Sequence, residues 1–566
     1  MKKYALGLDF GTNSCRSLIV DLTEGKELAS FVSDYASGRD GILLDSKDPN
    51  VARQNPEDYH QSLVESIREA AAQAKKEDPE FSPENIIGIG VDTTGSSPMP
   101  VDDTGVPLGL HPEFKNNLNG MVWLWKDHSS HAEAAQITER AQELRPQYLA
   151  KVGGTYSSEW FWSKILHCKN ADPDVFKAAY SFVEYCDYIP ALLAGDTRPD
   201  RIIRSVCAAG HKAMYNEEWG GLPDKEFLSS LDSDLGKLRD RLYEKAVPSN
   251  RLAGTLSQEY GEKLGLQPGI AVAVGAFDAH MGAVGAGVKE GTLVKILGTS
   301  TCDIMVSPKH KGFKDIPGVC GIVDGSVLPE HYGIEAGQSA VGDIFLWFVN
   351  HLVPDSYGKT PDEKFKNLEI EASKQKPGEH GLLALDWNHG NRTILVDVRL
   401  SGLLIGQTLH TQAHEIYRAL IEGTAFGALT IINRLEEYGV KVEEIVNCGG
   451  LASKNPFLMK IYADITGRPM KVSRSDQTCA LGAAIFGAVA AGQEKSGFST
   501  VEDAQKALTG IKETYEPDPE SHKAYTELFR LYSQLHDSFG TPTWSGNLHN
   551  VMKDLIALRE RQRKPE

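Results

Sequence analysis

The feature that most constrains this chain is a turn that occurs twice. LGLDFGTNSCRSLIVD, residues 6–21, reads as two short strands of alternating apolar residues joined by a Gly-led polar bend. LVKILGTSTCDIMVS, residues 293–307, repeats it 287 residues further on, GTSTC falling on GTNSC. One such turn need only reverse the chain, because Gly and Asn tolerate the backbone angles it requires. Two copies half a chain apart imply two domains of one design rather than a solenoid. In each copy three amides, of Gly11, Thr12 and Asn13 or of Gly298, Thr299 and Ser300, are expected to face one concavity with hydroxyls beside them, an arrangement that cradles phosphate oxygens. The copies differ at one chemically important place: Asp9 in the first stands where the second has Ile296. A single carboxylate would then face whatever lies between the halves, as a metal bound with a nucleotide requires.

A chain of 566 residues exceeds what one core organises, so at least two domains are expected. Acidic residues outnumber basic ones by 77 to 59, and RERQRK near the C-terminus is the one conspicuous basic run, which argues against a nucleic-acid partner. Eight scattered cysteines without a CxxC pair fit reduced thiols in a cytoplasmic protein, not a zinc or disulfide framework. MKKYALGLDF reaches Asp9 before an apolar segment can form, so no secretory leader is expected. AAIFGAVAAG is too short and small to cross a bilayer, so no membrane partner is expected either.

Strand and helix patterns alternate along the chain. The spacing predicts strands over 4–9, 16–21 and 86–92, a helix over 56–77, and a loop at TTGSSPMP. Residues 113–250 are helical in pattern and rich in aromatics, among them Trp123, Trp125, Trp160 and Trp162, which read first as core. GIAVAVGAFDAHMGAVGAG gives a strand, a turn and a small-residue helix. Further helices are expected at 339–352 and 413–436, and the segment past 516 reads as a charged helical appendage. Asp278 opens a helix after an apolar run, so a capping role is the ordinary reading. Its place at the junction of the halves, just before the second hairpin, makes it the candidate to accept a proton from an attacking hydroxyl. CGGLAS, 448–453, is a third Gly-rich turn whose glycines would let a flat adenine approach the backbone. YGKT at 357–360 is not a P-loop, because Val353 occupies the position where the first glycine is required. His128 and His131 lack a third ligand for a metal.

With these motifs in view, the sequence resembles the FGGY family of carbohydrate kinases along essentially its whole length. The resemblance rests on DFGTNSCRSLIVD, GAFDAHMGAVGAG, LGTSTC, the stretch from Glu335 through Gly342 to Trp347, NCGGLASKNPF and TCALGAA. It implies an α/β fold of two ribonuclease-H-like domains of the actin/hexokinase ATPase type, with an active-site cleft between them. On that pattern residues 1–286 would form the sugar-binding domain and 287–566 the nucleotide-binding domain, with the helical appendage at about 517–566. It further implies ATP and Mg2+ as cofactors, Asp278 as general base and Asp9 as the acid nearest the metal. Gly11, Thr12, Asn13, Gly298, Thr299 and Gly342 would serve phosphate and ribose, and Gly449, Gly450 and Asn455 the adenosine end. GVDTTGSSPMPVD, VWLWKDH, AAGHKAMY and YGIEAGQSAVGD resemble the family's ketopentose kinases, which implies Ser96, Trp125, Lys212 and Glu335 around a sugar. Kinases for other ketopentoses or pentitols, and an actin- or Hsp70-type ATPase switch, stay open as alternatives, as does a homodimer.

Overall fold

A computed structural model describes residues 2–312 and 314–563. Two seven-stranded sheets organise them, each built outward from one copy of the repeated hairpin. In the first, β1 (Tyr4–Phe10), β2 (Ser14–Asp21) and β3 (Lys26–Asp34) run antiparallel, and β1 pairs in parallel with β4 (Ile86–Thr93). β5 (Leu252–Thr255), β6 (Ala271–Ala273) and β7 (Ala276–Phe277) complete it, the sheet order being β5-β6-β4-β1-β2-β3 with β7 paired to the end of β4. The second repeats the plan with β8 (Thr292–Leu297), β9 (Thr301–Pro308), β10 (Gly321–Asp324), β11 (His331–Ala336), β12 (Glu444–Cys448), β13 (Met470–Ser473) and β14 (Ile511–Tyr515), in the order β10-β11-β9-β8-β12-β13-β14. β8 and β12 are parallel, as β1 and β4 are, so both hairpin tips lie at the carboxyl edge of a parallel pair, where α/β sheets open a crevice.

Local signals fix the helices that matter. α1 (Pro56–Glu77) coincides with the predicted span because its ends are chemically marked: Asn55 caps it, Pro56 opens it, Glu57 and Asp58 lie in the first turn and Lys75 and Lys76 in the last. α2 (Val206–Lys212) and α3 (Asp278–Gly285) carry site residues, and α4 (Gly342–His351), α5 (Ala413–Glu437) and α6 (Pro456–Thr466) belong to the second domain. The expected loop at TTGSSPMP is partly a strand, Pro98–Val101, pairing with Ser181–Glu184. Of the four tryptophans expected as core, Trp123, Trp160 and Trp162 are buried in one cluster and Trp125 is half-buried.

α7 (Thr478–Ala490) lies late in the chain yet packs on the first sheet and on α3. Glycines make this possible: a Cβ on Gly7 or Gly90 would fall 1.8 Å from the carbonyl oxygen of Ala480 or Ala483, and one on Gly88 2.0 Å from that of Gly487. The glycines of LGLDFG and IIGIGVD therefore clear a face for the small-residue helix, and the two halves share one interior there.

The C-terminal segment is not an appendage. α8 (Pro519–Gly540) and α9 (Val551–Arg563) bury Tyr525, Leu528, Leu531, Tyr532, Leu535, Val551, Leu555 and Leu558 in the core of the second domain. Their charged faces disguised an amphipathic stripe of ordinary helical period. Among the described residues no helix is long and apolar enough to cross a membrane.

Candidate active site

The strand ends around the two hairpins converge on a set of carboxylates. Asp9 is the next-to-last residue of β1, and the parallel register sets Asp92 of β4 directly beside it, with Arg16 of β2 on the other side donating to Asp9 at 3.2 Å. Asp92 was not foreseen, although its position at the end of GVD mirrors that of Asp9 at the end of GLD. It is fully buried, and neither of its carboxylate oxygens has a hydrogen-bond partner among the described residues. Burial, then the negative charges of Asp9 and Asp278, push the Asp92 carboxyl far above its ordinary range. Cys479, from the first turn of α7, brings its sulfur within 4.8 Å of the two acids. Paired hard carboxylate oxygens are the donors that magnesium takes, so Asp9 and Asp92 fit that ion.

Asp278 is the first residue of α3; Phe277 takes the cap position, and the Asp278 carboxylate accepts the amide of Ala279 at 2.7 Å. Burial, followed by the charge of Asp9, raises it to about 7. A carboxylate poised there holds or releases a proton near neutrality.

On one side of Asp278 the two halves of the chain are joined by an ion pair. Lys212, at the end of α2, donates to both carboxylate oxygens of Glu335, on β11, at 3.1 Å. Both are buried. Burial alone would raise the Glu335 carboxyl; the positive charges around it, Lys212 first and Arg392 among the others, together outweigh burial and hold the group well below the ordinary carboxylate range. Trp125 is half-buried, and its indole N–H donates to the Thr12 hydroxyl at 3.0 Å, tethering this side of the site to the first hairpin. Ser96 lies in the same wall, but its hydroxyl donates to Glu184, and its carbonyl accepts from Lys164 at 2.8 Å. Neither Lys164 nor Glu184 was singled out in the sequence. Burial moves both toward neutrality, each to about 7.

The nucleotide-side residues are more open, and the structure revises how several of them work. The Gly11 amide donates to the Ser14 carbonyl at 2.9 Å and the Gly298 amide to the Ser300 carbonyl at 3.0 Å, so each glycine closes its own turn instead of pointing outward. Thr12 is half-buried, and Asn13, Gly298 and Thr299 are exposed. The amides of Val341 and Asp343 donate to the Thr299 carbonyl at 2.8 and 3.2 Å, and that of Gly342 to the Gly298 carbonyl at 3.1 Å, seating α4 on the second hairpin. Gly449 and Gly450 are exposed, and a side chain on Gly450 would meet open space. Asn455 stands apart: its carbonyl oxygen caps α6 through the Leu458 amide at 2.8 Å, its NH2 donates to Glu369 at 2.6 Å, and it is buried. Its side chain is occupied as a helix cap and holds the turn rather than presenting a free amide.

Comparison with known proteins shows the family of the chain. Residues 4–285 match the model of the N-terminal domain of the FGGY family of carbohydrate kinases, and residues 293–491 that of the C-terminal domain. A protein named ribulokinase from Vibrio parahaemolyticus is 42% identical over 550 residues, 94% of this chain and 95% of the relative. Another of that name, from Shouchella clausii, is 41% identical, covering 99% of each chain. Among solved structures, a xylulose kinase from Rhodospirillum rubrum superposes with a TM-score of 0.75 at 22% identity, over 97% of this chain and 100% of that one. A gluconate kinase from Lactobacillus acidophilus gives 0.75 at 20% identity, over 96% and 99%.

Proposed function

Because this chain belongs to the FGGY family of carbohydrate kinases, we propose that it transfers the γ-phosphoryl group of ATP to the 5-hydroxyl of L-ribulose. The chain is an ATP-dependent sugar kinase; the choice of sugar follows its relatives of that name. The observation that carries the reading is the buried Lys212–Glu335 pair bridging the two halves beside Asp278.

The residues divide the work as phosphoryl transfer demands, with positioning and charge placement in place of covalent chemistry. Asp278 accepts the proton of the sugar hydroxyl as that oxygen attacks phosphorus. Lys212 donates to, and Glu335 accepts from, the hydroxyls that orient the sugar, with Trp125 closing one side and Ser96 forming the wall. Asp9 and Asp92 would hold magnesium, which when bound neutralises charge on the polyphosphate. The tips at Thr12, Asn13 and Thr299 face the phosphates, while Gly449 and Gly450 leave room for the adenosine end. Closure of the domains excludes water, so that transfer to the sugar outcompetes hydrolysis. The protein acts in the cytoplasm on these small molecules.

The test is kcat/KM over L-ribulose, D-ribulose, D-xylulose, ribitol, L-arabitol and glycerol, for wild type and Lys212→Met. A buried donor deprived of its hydroxyl costs about 1 to 3 kcal/mol, so sugars that lack or invert that hydroxyl should lose about 10- to 100-fold. Lys212→Met should weaken ketopentose turnover and leave ATP affinity intact. Glycerol or D-xylulose as best substrate would refute the sugar assignment and leave the kinase assignment standing.

A further inference from the structure

Behind the Lys212–Glu335 pair lies a cluster whose two histidines phosphoryl transfer leaves unused. His211, His280 and Glu335, all buried, bring one donor atom each within 4.8 Å of one another. His211 Nδ1 is 3.3 Å, and His280 Nε2 3.8 Å, from the same oxygen, Glu335 Oε2. The imidazole centroids are 4.4 Å apart. The three come from α2, α3 and β11, so both halves of the chain assemble the cluster.

One arrangement of hydrogen bonds leaves His211 Nδ1 without a proton. Ser326 Oγ donates to the carbonyl of Val323 at 3.1 Å, and so accepts from His211 Nε2–H at 3.0 Å. In the neutral ring Nδ1 is then a bare lone pair facing a carboxylate oxygen. Two acceptors so placed repel one another unless a proton or a metal ion lies against both. Among the described residues His211 Nδ1 has no hydrogen-bond partner, nor has either nitrogen of His280, which is 2% exposed. Burial keeps both rings neutral near pH 7, lowering His280 to about 4 and, with His280 beside it, His211 well below its ordinary value. An imidazole whose far N–H is anchored on a hydroxyl-to-carbonyl relay is oriented as metal-ligating histidines are. The spacings of 3.3 and 3.8 Å to Glu335 Oε2 are within those that bonds of about 2.0 to 2.2 Å to one centre impose.

We propose that His211 Nδ1, His280 Nε2 and Glu335 Oε2 form a binding site for a divalent transition metal, Zn2+ foremost, distinct from the magnesium site at Asp9. Two neutral nitrogens and one carboxylate select zinc over magnesium, which takes oxygen donors. Lys212 keeps its hold on Glu335 Oε1 while Oε2 turns to the metal. Zinc so bound withdraws Glu335 from the sugar and inhibits in competition with sugar, not with ATP. That consequence rests on the reading of Glu335 as a sugar contact; the metal binding does not.

The experiment titrates the full chain, free of nucleotide and sugar, with Zn2+ by calorimetry and with Co2+ by visible absorption. One ion per chain is expected, with Co2+ bands of a nitrogen–oxygen set that Zn2+ abolishes. Ser326→Ala, which frees the His211 ring without removing a ligand, should weaken binding about 10-fold, and His280→Gln by about 100-fold or more. A thiolate-to-cobalt charge-transfer band, or unchanged affinity in Ser326→Ala, would place the ion on cysteines or the surface and overturn the site. If His280→Gln fails to fold, Ser326→Ala decides. Saturating L-ribulose should weaken Zn2+ binding to wild type about 10-fold or more; Zn2+ binding that responds to Ser326→Ala but not to L-ribulose would uphold the site and overturn the sugar role of Glu335.

Discussion

Asp278 shows how much one buried carboxylate can be asked to do. Replacing it with Asn removes the proton acceptor and keeps the shape, so kcat should fall about 100-fold or more while ATP still binds. Near-normal turnover would remove Asp278 from the mechanism. The pH dependence follows from its environment. Burial and Asp9 hold the group at about 7, and only the ionised form accepts a proton, so kcat/KM for the sugar should rise with pH through about 7 and fade on the acid side. Stability should run the other way. The folded state binds this proton more tightly than the unfolded chain, so ionising Asp278 costs stability as pH climbs from about 4 to beyond 7. Asp278→Asn should therefore melt above wild type at pH 8 and near it at pH 4. Equal melting temperatures at both pH values would show that the carboxylate is not under this strain.

At the scale of elements, the two hairpins share a backbone and differ in chemistry. Asp9→Asn should raise the magnesium concentration needed for half-maximal activity. Ile296→Val, at the matching place on β8, trims one methylene and should cost no more than about 1 kcal/mol with no change in magnesium dependence. A shared magnesium profile for wild type and Asp9→Asn would refute the assignment. The second hairpin also supports α4, and the contact is close: a Cβ on Gly342 would fall 2.6 Å from the Gly298 carbonyl oxygen. Gly342→Ala must push the helix off the hairpin, at a cost of about 1 to 3 kcal/mol. If Gly298 and Thr299 serve the nucleotide as proposed, KM for ATP should rise in this variant while KM for the sugar stays put. A rise confined to the sugar would show that the hairpin serves the other substrate.

The molecule as a whole is held together by parts distant in sequence. α7 lies against the first sheet, and α8 and α9 complete the core of the second domain. Leu528, fully buried on α8, is the direct probe. Leu528→Ala should cost about 2 to 5 kcal/mol in urea unfolding, where a surface appendage would lose almost nothing. A chain ending at residue 517 should fail to fold for the same reason, because Tyr525, Leu531 and Tyr532 would leave a large apolar surface in water.

What the sequence determined by itself was whatever is written locally. The duplicated hairpin announced two domains of one plan, the cap, proline and charge pattern bounded α1, and their strand-to-turn positions made Asp9 and Asp278 the candidates for the chemistry. Tertiary structure decided what depends on neighbours far along the chain. Asp92 became a site residue only when β4 was laid in register with β1, and Ser96 and Asn455 proved to be engaged by Glu184 and Glu369, partners 88 and 86 residues away. His211 and His280 gained meaning only when Glu335 arrived from the other half. Turns and caps are governed by a few adjacent residues, whereas register, burial and ion pairing are fixed by closure of the whole chain, whose pairings no local pattern encodes.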